Sequence, residues 1–179
     1  MAKKTTKSET LTVRLDPKTR FMLEFVARLR GQTITTVFER AIQDTADLAQ
    51  IRRNSAHVYT WKNYWDVEQG VRDILISGEP ALRPTFEEEK RLEFTRKYWP
   101  FFYTAIDKTM MQKHNISILW GRINEFIELD ESSITTDYWA AGGAMEAALK
   151  NAHVIPPKWK ELLGVQNSSS NELDKDVPF

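Results

Sequence analysis

The sequence predicts a mainly α chain in two parts. An N-terminal unit of one strand and two helices needs a second copy to be complete, and an α-helical second domain follows it. Three observations carry that prediction. Residues Thr10-Leu11-Thr12-Val13-Arg14-Leu15 alternate strictly between polar and apolar, the period of a half-buried strand. From Pro17 onward apolar residues recur every three or four positions, the period of helices with one buried face. All six tryptophans (61, 65, 99, 120, 139 and 159) lie beyond residue 60, which gives the second part its own aromatic core.

The strand is expected to end at Asp16-Pro17. Asp is a good helix N-cap, and Pro fits the first helical position, where no amide donor is needed. Phe21, Met22, Phe25, Val26 and Leu29 then share one face, and Gly31 supplies the stop. Thr33 caps a second helix whose stripe is Ile34, Val37, Phe38, Ala41, Ile42, Thr45 and Leu48. Residues 51–60 lose periodicity and read as a boundary. From Trp61 the pattern is helical throughout: Tyr64, Val67, Val71, Ile74 and Leu75 make a face that Ser77-Gly78-Glu79-Pro80 ends. Thr85 with Glu88 is a capping box that starts a helix at Phe86, and Pro100 imposes a kink or restart in the next apolar run. Ile116, Leu119, Trp120, Ile123, Phe126 and Ile127 form one further stripe, and Tyr138, Ala141, Gly142, Met145, Ala148, Leu149 and Ala152 another. A short last helix is expected from Pro156-Pro157, carrying Trp159, Leu162 and Leu163. The domains are therefore a basic arm (1–8), a strand–helix–helix domain (9–53), an α-helical domain (61–164) and a polar tail (165–179) expected to be disordered.

Composition narrows the function classes. The 179 residues are 41% hydrophobic, enough for a packed core, and contain no cysteine, which excludes disulfides and thiolate chemistry. No apolar run is long enough to span a membrane, and the first residues lack a secretory signal, so a cytoplasmic protein with no membrane partner is expected. The net charge of zero hides an asymmetry. Residues 1–53 hold eleven Lys/Arg against six Asp/Glu, a balance of +5, and the remainder holds 14 against 19, a balance of −5. Polyanion binding, if present, belongs to the first part.

A lone strand leaves its amides and carbonyls unpaired, and one strand with two helices is too small for a core of its own. Two copies solve both problems by pairing their strands antiparallel, with four helices around a shared interior. Leu11, Val13 and Leu15 then face inward and Thr10, Thr12 and Arg14 outward. A two-stranded ribbon fits the major groove of B-DNA. Arg holds guanine O6 and N7 with two hydrogen bonds, and Thr bonds base edges or sets its methyl against thymine.

These features together resemble the ribbon–helix–helix (MetJ/Arc repressor-like) DNA-binding family over residues 9–48. The matching elements are the L-T-V-R-L strand, the Asp-Pro helix start, the F-M-x-x-F-V-x-x-L face, the Gly31-Gln32-Thr33 turn and the helix that follows. The resemblance implies a homodimer with base contacts from Thr10, Thr12 and Arg14, and a phosphate anchor at Thr33, Ile34 and Thr35. The free amides and positive dipole end at a helix start favour an anion there. The chain departs from the usual turn in lacking a basic residue after the cap, and Lys3, Lys4 and Lys7 stand as a compensating arm on the DNA backbone.

The second half carries less information. Its tryptophans read as core, with a pocket for a small apolar effector as the alternative. The Ala140–Ala144 run suits close helix contact rather than phosphate binding. His57, His114 and His153 lack metal-ligand spacing, and Glu125, Glu128, Asp130 and Glu131 form an acidic cluster that reads as surface. No catalytic constellation appears, so neither an enzyme nor a cofactor is expected. The expectation is a prokaryotic, sequence-specific transcriptional repressor whose second domain handles oligomerisation or a protein partner. The alternatives are an antitoxin of a toxin–antitoxin pair and a plasmid partition or relaxosome accessory DNA-binding protein.

Overall fold

The computed structural model describes residues 10–53 and 57–164. The expectations for Lys3, Lys4 and Lys7, for Glu9 at the start of the 9–53 domain and for the tail 165–179 lie outside the described residues. The chain is mainly helical and divides into two compact units, residues 1–63 and 64–179. Trp61 and Lys62 thus belong to the first unit. No helix among the described residues is long and apolar enough to cross a membrane.

In the first unit local chemistry fixes both helices. Helix α1 spans Pro17–Arg30. Asp16 Oδ1 accepts hydrogen bonds from the amides of Lys18 (2.9 Å) and Thr19 (3.1 Å), and its Oδ2 accepts one from Thr19 Oγ1 (2.6 Å). Gly31, at φ +60°, closes the helix by donating to the carbonyls of Ala27 and Arg28. Helix α2 spans Ile34–Leu48, with Thr33 Oγ1 accepting from the Thr36 amide at 3.1 Å. Beyond it, β1 (Ile51–Arg52) pairs antiparallel with β2 (Val58–Tyr59), so the stretch that lost periodicity contains a short strand pair. Trp61 folds back onto α2, its indole donating to Asp47 at 2.9 Å, while Lys62 and Gln43 reach the same carboxylate at 3.1 Å.

The expected strand over Thr10–Leu15 is not formed in a single chain. A strand needs a paired edge, and among the described residues none is offered to this segment. The unit has almost no interior either. Of its described residues Ala27 and Val37 alone are buried.

The second unit has a dense core. Its helices are α3 (Gln69–Ser77), α4 (Phe86–Lys97), α5 (Trp99–Phe102), α6 (Lys113–Leu119), α7 (Ile123–Ser132), α8 (Ala140–Asn151) and α9 (Trp159–Leu162). Tyr98, Phe101, Phe102, Ile116, Leu119, Met145 and Leu149 are fully buried at its centre. The capping box forms, with Thr85 N and Glu88 Oε2 at 2.7 Å and Glu88 N and Thr85 Oγ1 at 3.3 Å. Pro100 produces a restart, α4 ending at Lys97 and α5 opening at Trp99. Gly142 lies under Trp159, where an added Cβ would sit 2.6 Å from the ring, which is the close contact expected of the small-residue run.

One helix starts later than the periodicity suggests. The face beginning at Tyr64 becomes helical only at Gln69, because polar side chains take the backbone groups of residues 64–68. Asp66 Oδ1 accepts from the Glu68 amide at 3.0 Å, and the Arg72 guanidinium donates to the carbonyls of Asp66 (2.7 Å) and Val67 (3.1 Å). The last helix likewise opens at Trp159, two residues past Pro157.

Candidate nucleic-acid interface

Residues 10–15 lead directly into the capped start of α1, and every one of them is exposed. Thr10, Thr12 and Arg14 therefore stand free to meet a ligand. The same holds for the alternate positions that the sequence assigns to an interior: Leu11 is 74% exposed and Val13 49%. The apolar face of α1 is equally open, with Phe21 at 66%, Phe25 at 56% and Leu29 at 73%. Met22, Ile34, Ile42 and Leu48 continue the set. Together these side chains leave the apolar face of the unit open.

At the other end of α1, the three-residue turn Gly31-Gln32-Thr33 delivers the chain to α2. Thr33 engages the Thr36 amide and hydroxyl, so the helix-start amides of Ile34 and Thr35 remain the outermost donors. Both residues are exposed, and no acidic side chain occupies this first turn. The last turn of α1 carries Arg28 and Arg30, both exposed, at this same end. Cations in a helix's last turn complement its dipole.

Electrostatics mark two carboxylates of the first unit as structural. Asp16 is held below the usual carboxylate range, chiefly by the Thr19 hydroxyl, and stays an anionic cap. Asp47 is lowered to about 2, first by the Trp61 indole and then by Gln43 and Lys62. Both carboxylates are committed to holding local structure.

The second unit is organised around its packed core. Four of its five tryptophans pack on the core: Trp159 is buried, and Trp99, Trp120 and Trp139 pack against the same cluster, whereas Trp65, expected in the core, is exposed with the Arg72 guanidinium 4.8 Å over its ring. A cleft of about 430 Å³ is bordered by Pro80, Arg83, Glu89, Leu92 and Arg96, and a groove of about 320 Å³ by Lys90, Lys97, Asp130 and Glu131. Two members of the acidic cluster, Asp130 and Glu131, are paired within the unit. Lys97 Nζ bonds both oxygens of Asp130 at 2.7 and 2.8 Å, the Tyr98 hydroxyl donates to Asp130 at 2.6 Å, and Lys90 bonds Glu131 at 3.0 Å. The Lys97 ammonium also lies 4.0 Å from the centre of the Tyr138 ring. Burial and Asp130 together push the Tyr98 phenol well above its ordinary range. Among the described residues no group of three His, Cys, Asp or Glu is placed to hold a metal. Comparison of the chain with protein-family models, with curated proteins and with solved structures finds no match.

Proposed function

We propose that two copies of the chain pair residues 10–15 into an antiparallel ribbon that reads double-stranded DNA in the major groove, and that the protein represses transcription from the sites it occupies. One observation carries the reading. The first unit exposes an alternating strand and an apolar helix face while burying only two of its described residues. A second copy supplies what is missing, namely a hydrogen-bonding edge for Thr10–Leu15 and cover for Phe21, Phe25 and Leu29.

Once the apolar side of the ribbon is covered, Thr10, Thr12 and Arg14 face away from the shared interior, where a groove takes them. The amides of Ile34 and Thr35 at the start of α2, with Thr33, serve as the phosphate anchor, and Arg28 and Arg30 add the charge that the turn itself lacks. Lys3, Lys4 and Lys7 add further backbone contacts on this reading. The second unit then serves oligomerisation or a protein partner, and the protein works in the cytoplasm.

Sedimentation of the full chain, followed by selection from random duplex DNA, tests the proposal. A dimer that enriches one sequence, with binding that weakens steeply as salt rises, is the expected result. A monomer, or a dimer that enriches no sequence, overturns it.

A further inference from the structure

We infer that the cleft between the end of α3 and one face of α4 binds a small zwitterion, a free α-amino acid with an apolar side chain, through Arg83 and Glu89. The site lies within the second unit and does not depend on the reading of the first.

Two walls border the cleft, whose volume of about 430 Å³ falls within the roughly 300–1,000 Å³ of small-molecule sites. One wall is the connection from α3 to α4, which contributes Pro80, Arg83 and Pro84. The other is a single face of α4, where Glu89, Leu92, Glu93 and Arg96 recur at helical spacing. The two prolines and the buried Leu92 give the cleft apolar surface.

Its four charges fall into two kinds. Glu93 and Arg96 satisfy each other, with Arg96 Nη1 lying 2.5 Å from Glu93 Oε1. Arg83 and Glu89 differ. Among the described residues neither side chain makes a hydrogen bond or an ion pair, with the other or with any third group. A cation on one wall and an anion on the other thus border one partly apolar space without bridging it. A ligand with a carboxylate and an ammonium satisfies both. The Arg83 guanidinium donates a pair of hydrogen bonds to the carboxylate, and Glu89 accepts from the ammonium. An apolar side chain on the same ligand then covers Leu92 and the prolines.

The backbone holds Arg83 in a strained state. It sits at φ +53°, in the left-handed region that favours glycine. Both flanks fix it there. Its amide donates to the Pro80 carbonyl at 3.0 Å, the Glu79 carboxylate accepts from the Ala81 amide at 3.2 Å, and Pro84 leads into the Thr85–Glu88 capping box. Strain held by its surroundings gathers at ligand clamps, and here it falls on the unpaired cation of the cleft.

NMR titration of the full chain with L-valine, L-leucine, L-methionine and L-phenylalanine tests the inference. At least one should move the backbone amides of residues 77–96 saturably. The N-acetyl and amide derivatives of the tightest binder, which lack the ammonium charge or the carboxylate, should bind about tenfold more weakly or worse. Arg83→Gly and Glu89→Gln should weaken the parent ligand by a similar factor, whereas Glu87→Gln, on α4 outside the cleft, should bind it unchanged. Arg83→Gly relieves the left-handed strain and should unfold at no lower a temperature than the parent, so lost binding is not lost folding. No saturable shift with any of the four amino acids overturns the inference. So does undiminished binding of either derivative, or parental affinity in Arg83→Gly or Glu89→Gln.

Discussion

Adjacent glycines on α8 should respond to the same substitution with opposite sign. An alanine at Gly142 places its Cβ 2.6 and 2.7 Å from two Trp159 ring carbons, closer than real contacts allow. The ring has little room to yield. It is 2% exposed, packs against Phe101 and Trp139, and its indole donates to Glu146 Oε2 at 2.9 Å. Overpacking of this kind costs about 1–3 kcal/mol, and the gain from replacing a helical glycine by alanine, about 1 kcal/mol, offsets part of it. Gly143 is exposed, and an added Cβ there meets nothing within 4 Å. Gly143→Ala should therefore gain about 1 kcal/mol, and Gly142→Ala should lose up to about 2 kcal/mol. The difference between the two variants isolates the collision, since the helix term is common to both. Urea denaturation followed by circular dichroism and tryptophan fluorescence measures it. Equal midpoint shifts in one direction would refute the packing of Trp159 over Gly142.

Further outcomes are expected elsewhere. Arg14→Ala should weaken binding to a selected site by about 1–3 kcal/mol at the base pair it reads, measured by mobility shift against sites altered singly. Equal weakening on every sequence would show that Arg14 meets phosphate and not bases. Gly31→Ala forces a side chain into the left-handed region at φ +60° and should cost about 1–2 kcal/mol, read from thermal unfolding. Asp47 is depressed to about 2 in the folded chain against an ordinary value of 3.8, so its contacts stabilise above pH ~4 and are lost as pH falls toward 2. Trp61→Phe removes the largest cause and should raise the Asp47 carboxyl, an effect visible by carboxyl-resolved NMR titration. Tyr98 is shifted the other way: the folded chain keeps its proton, the unfolded chain releases it near pH ~10, and stability should decline from there upward. Lys97→Met leaves Asp130 with the Tyr98 hydroxyl as its remaining donor. The loss should fall near the low end of the roughly 3–5 kcal/mol seen for broken buried pairs, because both groups keep some solvent contact.

The parts of this chain legible in sequence are those decided by residues close together. Asp16-Pro17, Gly31, Thr33 and the Thr85–Glu88 pair each act across four positions or fewer, and each forms as their chemistry requires. Less visible were features set by residues far apart or by side chains competing for the backbone. Lys97 meets Asp130 across 33 positions, and Trp61 meets Asp47 across 14. Arg72 and Asp66 unwind what periodicity alone makes helical, and the strand pair β1–β2 is too short to show a period. In the candidate site residues 10–15 are all exposed, so the two faces that alternation assigns to them do not show in one chain. Arg28 and Arg30 precede the turn rather than follow it. On the proposed function the partner edge for residues 10–15 comes from a second copy, which no single chain displays.

The placement of the indoles makes the two units separately observable. Trp61, tied to the end of α2 through Asp47, is the one tryptophan of the first unit, and the other five belong to the second. Its indole proton therefore gives a resonance that follows the first unit, while Trp120 on Asp73 and Trp159 on Glu146 follow the second. In a titration with duplex, Trp61 moving alone would place the response in the first unit, and joint movement would mean that occupancy is felt throughout the chain. No probe has to be introduced to tell the two apart.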